Sequence, residues 1–318
     1  MMSIGKDSVN FLTLGEEADG QRLDNFLFKT LKGVPKSHVQ RMIRNGEVRI
    51  NKKRARADTR LNAGDEVRIP PVRIAVKEAS GSLKHTPAQE FPIVYEDDTL
   101  LVINKPAGTA VHGGSGVAFG VIEQLRRARP DARYLELVHR LDKDTSGLLM
   151  IAKKRSTLVK LHEQLRQNHP EKIYLALCAP RWPDAVRHVK LPLIKYSGAA
   201  GEKMVRVADD GQYAHTAFRV QEHFQAASLV EADLKTGRTH QIRVHMQSQG
   251  CPILGDERYG DYERNREWTK IGLKRMFLHA YRLSIIHPLS GEKLVLTAEL
   301  PSALKNLLEK LRGASHLS

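Results

Sequence analysis

The chain has 318 residues, enough for two domains, because single cores stop growing at about 250–300 residues. Its 41% hydrophobic and 27% charged residues exclude wholesale disorder, while 51 Lys and Arg against 36 Asp and Glu leave a formal +15 that suits a polyanion, nucleic acid before an anionic membrane. No apolar run approaches the about 20 residues of a membrane span, residues 1–20 lack the apolar stretch of a secretory signal, and Cys178 and Cys251 make neither a disulfide framework nor a thiolate zinc site, so a cytoplasmic location without a membrane partner is expected.

In chain order, apolar residues recur from Leu23 at Phe26, Leu27 and Leu31, one face of a helix. A second helix is expected from Ser37, read as its N-cap after Pro35; it buries Val39, Met42 and Ile43 and ends at Gly46. Val48 and Ile50 alternate with Glu47 and Arg49 as in a half-buried strand, Asn51-Lys52-Lys53 turns the chain, and Gly64-Asp65 leads into a strand holding Val67 and Ile69. Residues 36–60 carry nine Lys or Arg against only Glu47 and Asp58. Lys36, Arg41 and Arg44 on a helix, with Lys52, Lys53 and Arg54 at a turn, read as an electrostatic footprint for phosphate; a solvated face is the plainer alternative.

Residues 1–75 therefore read as a small α/β module, and residues 76–92, polar and without a period, as a linker. Strand-like runs return at 93–95, 100–103, 148–152 and 227–230, with a helical pattern at 156–167. Residues 93–318 are expected to form one larger domain with a mixed, mainly antiparallel sheet flanked by helices, an α+β arrangement.

Chemistry concentrates in a few segments. His139-Arg140-Leu141-Asp142-Lys143-Asp144-Thr145-Ser146-Gly147 places polar groups directly before an apolar strand, at a strand edge where reactive groups are reachable. Taken alone it is equally a charged turn whose Ser146 and Gly147 redirect the chain. A second segment, Thr236-Gly237-Arg238-Thr239-His240-Gln241-Ile242-Arg243-Val244-His245, holds two Arg and two His; it lacks the His-Glu-x-x-His spacing of a zinc site and has no cysteine or acidic ligand nearby, so no metal is expected. A better use for Arg243 is to keep a carboxylate ionised and oriented, and Asp142 is the natural acid. His112-Gly113-Gly114-Ser115-Gly116 fits neither a P-loop nor a hydrolase elbow, since Val117 stands where the elbow's last glycine belongs; it reads as a flexible loop bordering the active cleft. Lys172-Ile173-Tyr174 opens a short strand over 174–178 whose tyrosine is, on sequence alone, an ordinary strand aromatic.

Together these segments resemble the RluA family of pseudouridine synthases. His139-Arg140-Leu141-Asp142 with Thr145-Ser146-Gly147 is similar to that family's catalytic motif, and 237–245 to its second signature. Tyr95-Glu96-Asp97-Asp98, Asn104-Lys105-Pro106, Gly255-Asp256 with Tyr259-Gly260, and Leu278-His279-Ala280 match further, whereas the polar stretch 261–274 matches no motif. The N-terminal module resembles an S4 RNA-binding domain through Arg22-Leu23-Asp24, Gly46-Glu47-Val48-Arg49-Ile50-Asn51 and Gly64-Asp65. Lys32-Gly33-Val34-Pro35-Lys36-Ser37 and residues 108–116 point, within the family, toward enzymes of the large ribosomal subunit.

The resemblance implies an isomerase that turns uridines of 23S rRNA into pseudouridine without a cofactor. Its partner would be 23S rRNA or a large-subunit assembly intermediate, and the chain would act as a monomer. It implies Asp142 as the catalytic carboxylate, Arg243 as its counter-ion, Tyr174 as the residue beside the uracil, and Arg140 as an RNA contact that helps displace the base. A binding-only role in ribosome assembly explains the charge equally well, but not the acid and the Arg-rich segment at this spacing.

Overall fold

The structure, a computed structural model, describes residues 8–31, 33–72, 86–114, 117–198 and 201–315. The chain divides into two compact units, one comprising Met1–Thr86 with Lys154–Ser156 and the other Pro87–Lys153 with Thr157–Ser318. Most of the expected linker, residues 76–85, and Ser115 and Gly116 of the glycine-rich loop lie outside the described residues.

The smaller unit holds β1 (Asn10–Thr13), α1 (Leu23–Thr30), α2 (Lys36–Arg44), β2 (Arg49–Ile50), β3 (Lys53–Arg54) and β4 (Glu66–Ile69). Its strands form an antiparallel sheet in the order β1-β4-β2-β3. Leu23 and Leu27 of α1 and Val39, Met42 and Ile43 of α2 share one core with Val67 and Ile69 of β4, which is what a three-to-four-residue apolar period facing a two-residue period produces. Helix α2 starts earlier than the hydroxyl of Ser37 suggests. The carbonyl of Pro35 accepts from the N–H groups of His38 and Val39 at 2.9 and 3.2 Å, so Pro35 is the N-cap and no side chain caps the end. At the other end Gly46, at φ +73°, donates to the carbonyl of Ile43, and Glu47 donates to that of Met42, both at 3.0 Å, a Schellman stop that the glycine predicted. Asn51 and Lys52, both at positive φ, make the two-residue turn between β2 and β3; Lys53, read as part of that turn, is already in the strand.

The larger unit follows with β5 (Ile93–Glu96), β6 (Leu100–Lys105), α3 (Val121–Ala128), β7 (Glu136–Leu137), β8 (Ser146–Ala152), α4 (Arg155–Arg166) and β9 (Glu171–Cys178). Then come β10 (His188–Val189), β11 (Leu193–Ser197), β12 (Lys203–Val207), β13 (Thr216–His223), β14 (Ser228–Leu234) and α5 (Gln241–Ser248), and after them α6 (Tyr262–Lys270), β15 (Leu278–Ile286), β16 (Lys293–Thr297) and α7 (Ser302–Ser315). The main sheet runs β10-β13-β14-β9-β15-β8-β6-β5, with β16 beside β15 and β7 beside β8; β11 and β12 make a separate hairpin. Only the β15–β8 pairing is parallel among the described strands, so the unit is α+β with a mixed, mainly antiparallel sheet.

Strand β8 explains its unbroken apolar run by being covered on both faces. Leu149 and Ile151 pack in the cluster that holds Val121, Ile122 and Leu125 of α3 and Ile242 and Met246 of α5. Leu148, Met150 and Ala152 face the opposite way, with Leu158 and Leu161 of α4. The polar stretch 261–274, which matched no motif, forms α6; its N-cap Asp261 accepts from the backbone N–H of Arg264 at 2.9 Å. Phe91, in the stretch read as linker, is buried and joins the cluster beneath α3, a contribution that a lone aromatic in a polar segment does not announce.

Candidate active site

A cavity of about 640 Å³ opens where the loop 138–145, just before β8, meets β9 and the start of α5. It is lined by Arg140, Asp142, Tyr174, Arg238, His240 and Arg243, among others, and Asp142 is the only carboxylate lining it among the described residues.

The loop is held rigidly from behind. Lys105, at the end of β6, is fully buried and gives its three ammonium hydrogens to the carbonyls of Pro106, Thr109 and Lys143 at 2.8, 2.8 and 3.0 Å. That leaves no donor unsatisfied and ties the residue after Asp142 to the neighbouring strand. At the strand end Ser146 Oγ lies 2.8 Å from Nδ1 of His279 and accepts from Arg275 Nη2 at 2.9 Å, while His279 Nε2 lies 2.8 Å from the carbonyl of Ala298. Burial pushes His279 down to about 4, so it sits there neutral, donating through Nε2 and accepting from the serine. His139 is also held down to about 4, by burial first, and its Nε2 accepts from the backbone N–H of Met150 at 3.1 Å.

Arg243, on α5, is 7% exposed and joins two carboxylates. Its Nη1 donates to Asp142 Oδ2 at 2.9 Å, and its Nε and Nη2 donate to Asp256 Oδ2 and Oδ1 at 2.7 and 2.8 Å. Asp256 further accepts from the backbone N–H groups of Arg258 and Tyr259 at 2.9 and 3.1 Å. Burial alone would raise its pKa, but the guanidinium and these N–H groups hold it below the ordinary carboxylate value. The bidentate pair fixes the plane of the guanidinium, and the remaining corner points at Asp142. The pairing of Arg243 with an acid was legible from the sequence. Asp256 as the acid that orients Arg243 was not: Gly255-Asp256 matched a motif without showing a role, and a single Asp after a helix carries no periodic signal.

Tyr174 lies on β9 in the core beside the cavity, and its phenol is pushed well above its usual value by burial and then by the Asp142 carboxylate. It therefore meets a ligand as a neutral phenol. His240 and His245, considered above for zinc, do not converge. His240 Nε2 lies 3.8 Å from Asp142 Oδ1, whereas His245 is buried against Thr216 Oγ1 and the carbonyl of Leu191 at 2.9 and 3.0 Å. No group of three or more His, Cys, Asp or Glu able to hold a metal occurs among the described residues. Of the glycine-rich loop, the described residues His112, Gly113 and Gly114 do not line the cavity; the backbone N–H of Gly113 instead donates to Glu123 of α3 at 3.0 Å. That segment was expected to border the cleft, and its described part serves as a helix-start contact.

Arg140 is exposed and lines the cavity. Lys36, Arg41, Arg44, Lys52, Lys53 and Arg54 all belong to the smaller unit, on α2 and the β2–β3 hairpin, where each is exposed. None of these six pairs with a carboxylate among the described residues; Lys36 lies over the ring of Phe28 at 5.3 Å and Arg54 donates to the carbonyl of Asn45 at 2.9 Å. No helix among the described residues is long and apolar enough to cross a membrane.

Residues 99–248 match the family model described as RNA pseudouridylate synthase, and residues 21–67 match that of the S4 domain. The chain is 53% identical over 312 residues to the ribosomal large subunit pseudouridine synthase C of Escherichia coli strain K12, covering 96% of this chain and 98% of that protein. It is 50% identical over 308 residues to the protein of that name from Haemophilus influenzae, covering 96% of each. Among solved structures it is similar to human RNA pseudouridylate synthase domain containing 4, with a TM-score of 0.58 and 29% identity over 70% of this chain and 93% of that one.

Proposed function

This chain belongs to the RNA pseudouridylate synthase family, with an S4 domain ahead of the catalytic one, and from that premise we propose that Asp142 is the carboxylate with which it isomerises uridines of 23S rRNA. The enzyme is an isomerase of large-subunit ribosomal RNA. Pseudouridine formation breaks the N-glycosidic bond, turns the uracil and rejoins it to the ribose through C5. No atom is gained or lost, so the chemistry calls on side chains alone.

One observation carries the assignment. Asp142 lines the cavity and takes one corner of a guanidinium whose other edge is locked by a buried acid. The guanidinium orients the carboxylate, and a carboxylate oxygen held at the ribose can attack C1′ or remove the C2′ proton. Arg243 holds Asp142 in place. Tyr174 packs its ring against the uracil and assists proton loss from C5 by steering that proton past its neutral hydroxyl to solvent water, the final acceptor. Arg140, exposed at the cavity, helps displace the base from its stack. Taking a base out of a duplex costs on the order of a few kcal/mol, which phosphate contacts can offset. Lys36, Arg41, Arg44, Lys52, Lys53 and Arg54 supply such contacts from the S4 domain. The enzyme acts as a monomer in the cytoplasm, on 23S rRNA or a large-subunit assembly intermediate, with no membrane partner.

Release of tritium from C5 of labelled uridine in rRNA tests the reaction, because isomerisation expels that hydrogen while hydrolysis or binding retains it. Asp142→Asn is expected to abolish release. Full activity in that variant would remove Asp142 from the mechanism. Mapping carbodiimide-resistant pseudouridine stops in cells with and without the gene tests the substrate: the sites lost should lie in 23S rRNA, and losses confined to 16S rRNA would overturn the large-subunit assignment.

A further inference from the structure

Arg243 accounts for Oδ2 of Asp142 and leaves Oδ1 to another neighbour. That neighbour is His240, whose Nε2 stands 3.8 Å from Oδ1. The two side chains are 10% and 23% exposed, so the contact is largely shielded from water. On its other side His240 Nδ1 lies 2.7 Å from the hydroxyl of Tyr259, and that hydroxyl accepts the backbone N–H of Val205, in β12 of the separate hairpin, at 2.9 Å.

One arrangement of the protons satisfies every partner in this set. With one lone pair of the tyrosine oxygen taken by Val205, the hydroxyl donates its own hydrogen to Nδ1, which leaves the imidazole proton on Nε2 facing the carboxylate. The other tautomer would aim a nitrogen lone pair at Asp142 and leave the tyrosine O–H without its acceptor. At 3.8 Å the N–H is beyond hydrogen-bond reach of Oδ1, so its pull on that oxygen is electrostatic and the lone pairs stay available to the ribose.

The backbone adds an independent sign. His240 is at φ +53° and ψ +19°, the left-handed region, directly before α5, and its side chain makes no capping bond to the helix. Asparagine or glycine takes this conformation more easily, so the backbone here is strained for the side chain it carries.

We propose that His240 is a positioning residue for Asp142, set in register by the Tyr259 hydroxyl and the β12 backbone, and that it orients the carboxylate oxygen which Arg243 leaves free. The proposal rests on Asp142 as the catalytic carboxylate and ties the β11–β12 hairpin to the reacting group through one continuous chain of contacts.

The test measures kcat and KM for tritium release from uridine C5 in rRNA, with the full-length chain. His240→Asn fits the left-handed backbone and is expected to fold with an unchanged or higher Tm, to lose kcat by about tenfold or more, and to keep KM within about twofold. His240→Gln keeps an N–H donor on a side chain of similar length and is expected to recover part of kcat; should the Asn variant fail to fold, a wild-type kcat in the Gln variant alone overturns the proposal. Tyr259→Phe should lower kcat by a smaller factor that disappears in the His240→Asn background, because both act on one contact. Unchanged kcat in both His240 variants, a loss confined to KM, or losses that multiply in the double variant would overturn the proposal. Asp142→Asn run in parallel separates the two levels. An active Asp142→Asn removes the underlying assignment, whereas an inactive one beside fully active His240 variants removes only the role of His240.

Discussion

Arg243 commits three of its N–H donors, two to Asp256 and one to Asp142, along a single planar fork. A lysine at this position brings a point charge that cannot span both acids, so the exchange is not conservative here. Arg243→Lys is expected to lower kcat by about a hundredfold, as a misplaced reacting group does, and to weaken folding by about 3–5 kcal/mol because a buried carboxylate loses its partner. Tritium release and urea unfolding measure the two effects; wild-type kcat in this variant would show that the guanidinium geometry does not matter. At this scale the sequence was informative where chemistry was dense. Asp142 and Arg243 stood in crowded polar segments, while Asp256, with its side chain fully buried, stood alone after a helix and declared nothing by spacing.

Among the elements, β8 carries the loop of Asp142, and its register against β15 is set by a glycine. Gly147 has φ +111°, and a Cβ there would lie 2.2 Å from the carbonyl oxygen of Ala280, its partner across the parallel pairing. Alanine must therefore either open the sheet or shift the loop. Gly147→Ala is expected to cost about 3 kcal/mol or more, adding backbone strain to overpacking, and to lower activity in step, since the displaced loop holds Asp142. Urea unfolding checks it; a stability within about 0.5 kcal/mol of wild type would mean that the strand end yields freely. The apolar run 148–152 made β8 legible as a strand, but a run of this kind does not say which strand lies beside it. Helix ends behaved likewise. Gly46 marked the stop of α2 because few residues other than glycine take that conformation, whereas the start read from Ser37 was misplaced: the carbonyl of Pro35 takes the first helical bonds.

Across the whole molecule, stability should depend on two histidines held neutral at the Asp142 loop and the strand beside it, His139 half-buried and His279 fully buried. His139 and His279 are held down to about 4 in the fold against an ordinary value of 6.5. Below pH 6.5 the unfolded chain binds protons that the folded one refuses, so stability is complete above that pH and falls as the pH drops toward 4. Each tenfold weakening of proton binding by the fold is worth about 1.4 kcal/mol, so the two histidines together make the loss several kcal/mol. Denaturant midpoints across this window should fall with pH, and His279→Gln should flatten the slope; a flat wild-type profile would show that these histidines take up protons without unfolding the chain. The sequence by itself determined the charge that suits RNA, the apolar runs that become strands of the main sheet, and the segments in which polar chemistry is concentrated. All of these follow from local composition and period. Only the tertiary structure decided that Asp256 orients Arg243 and that His240 faces the free oxygen of Asp142. Such contacts join residues far apart in the chain, and their distances depend on strand order and register, which no local period encodes.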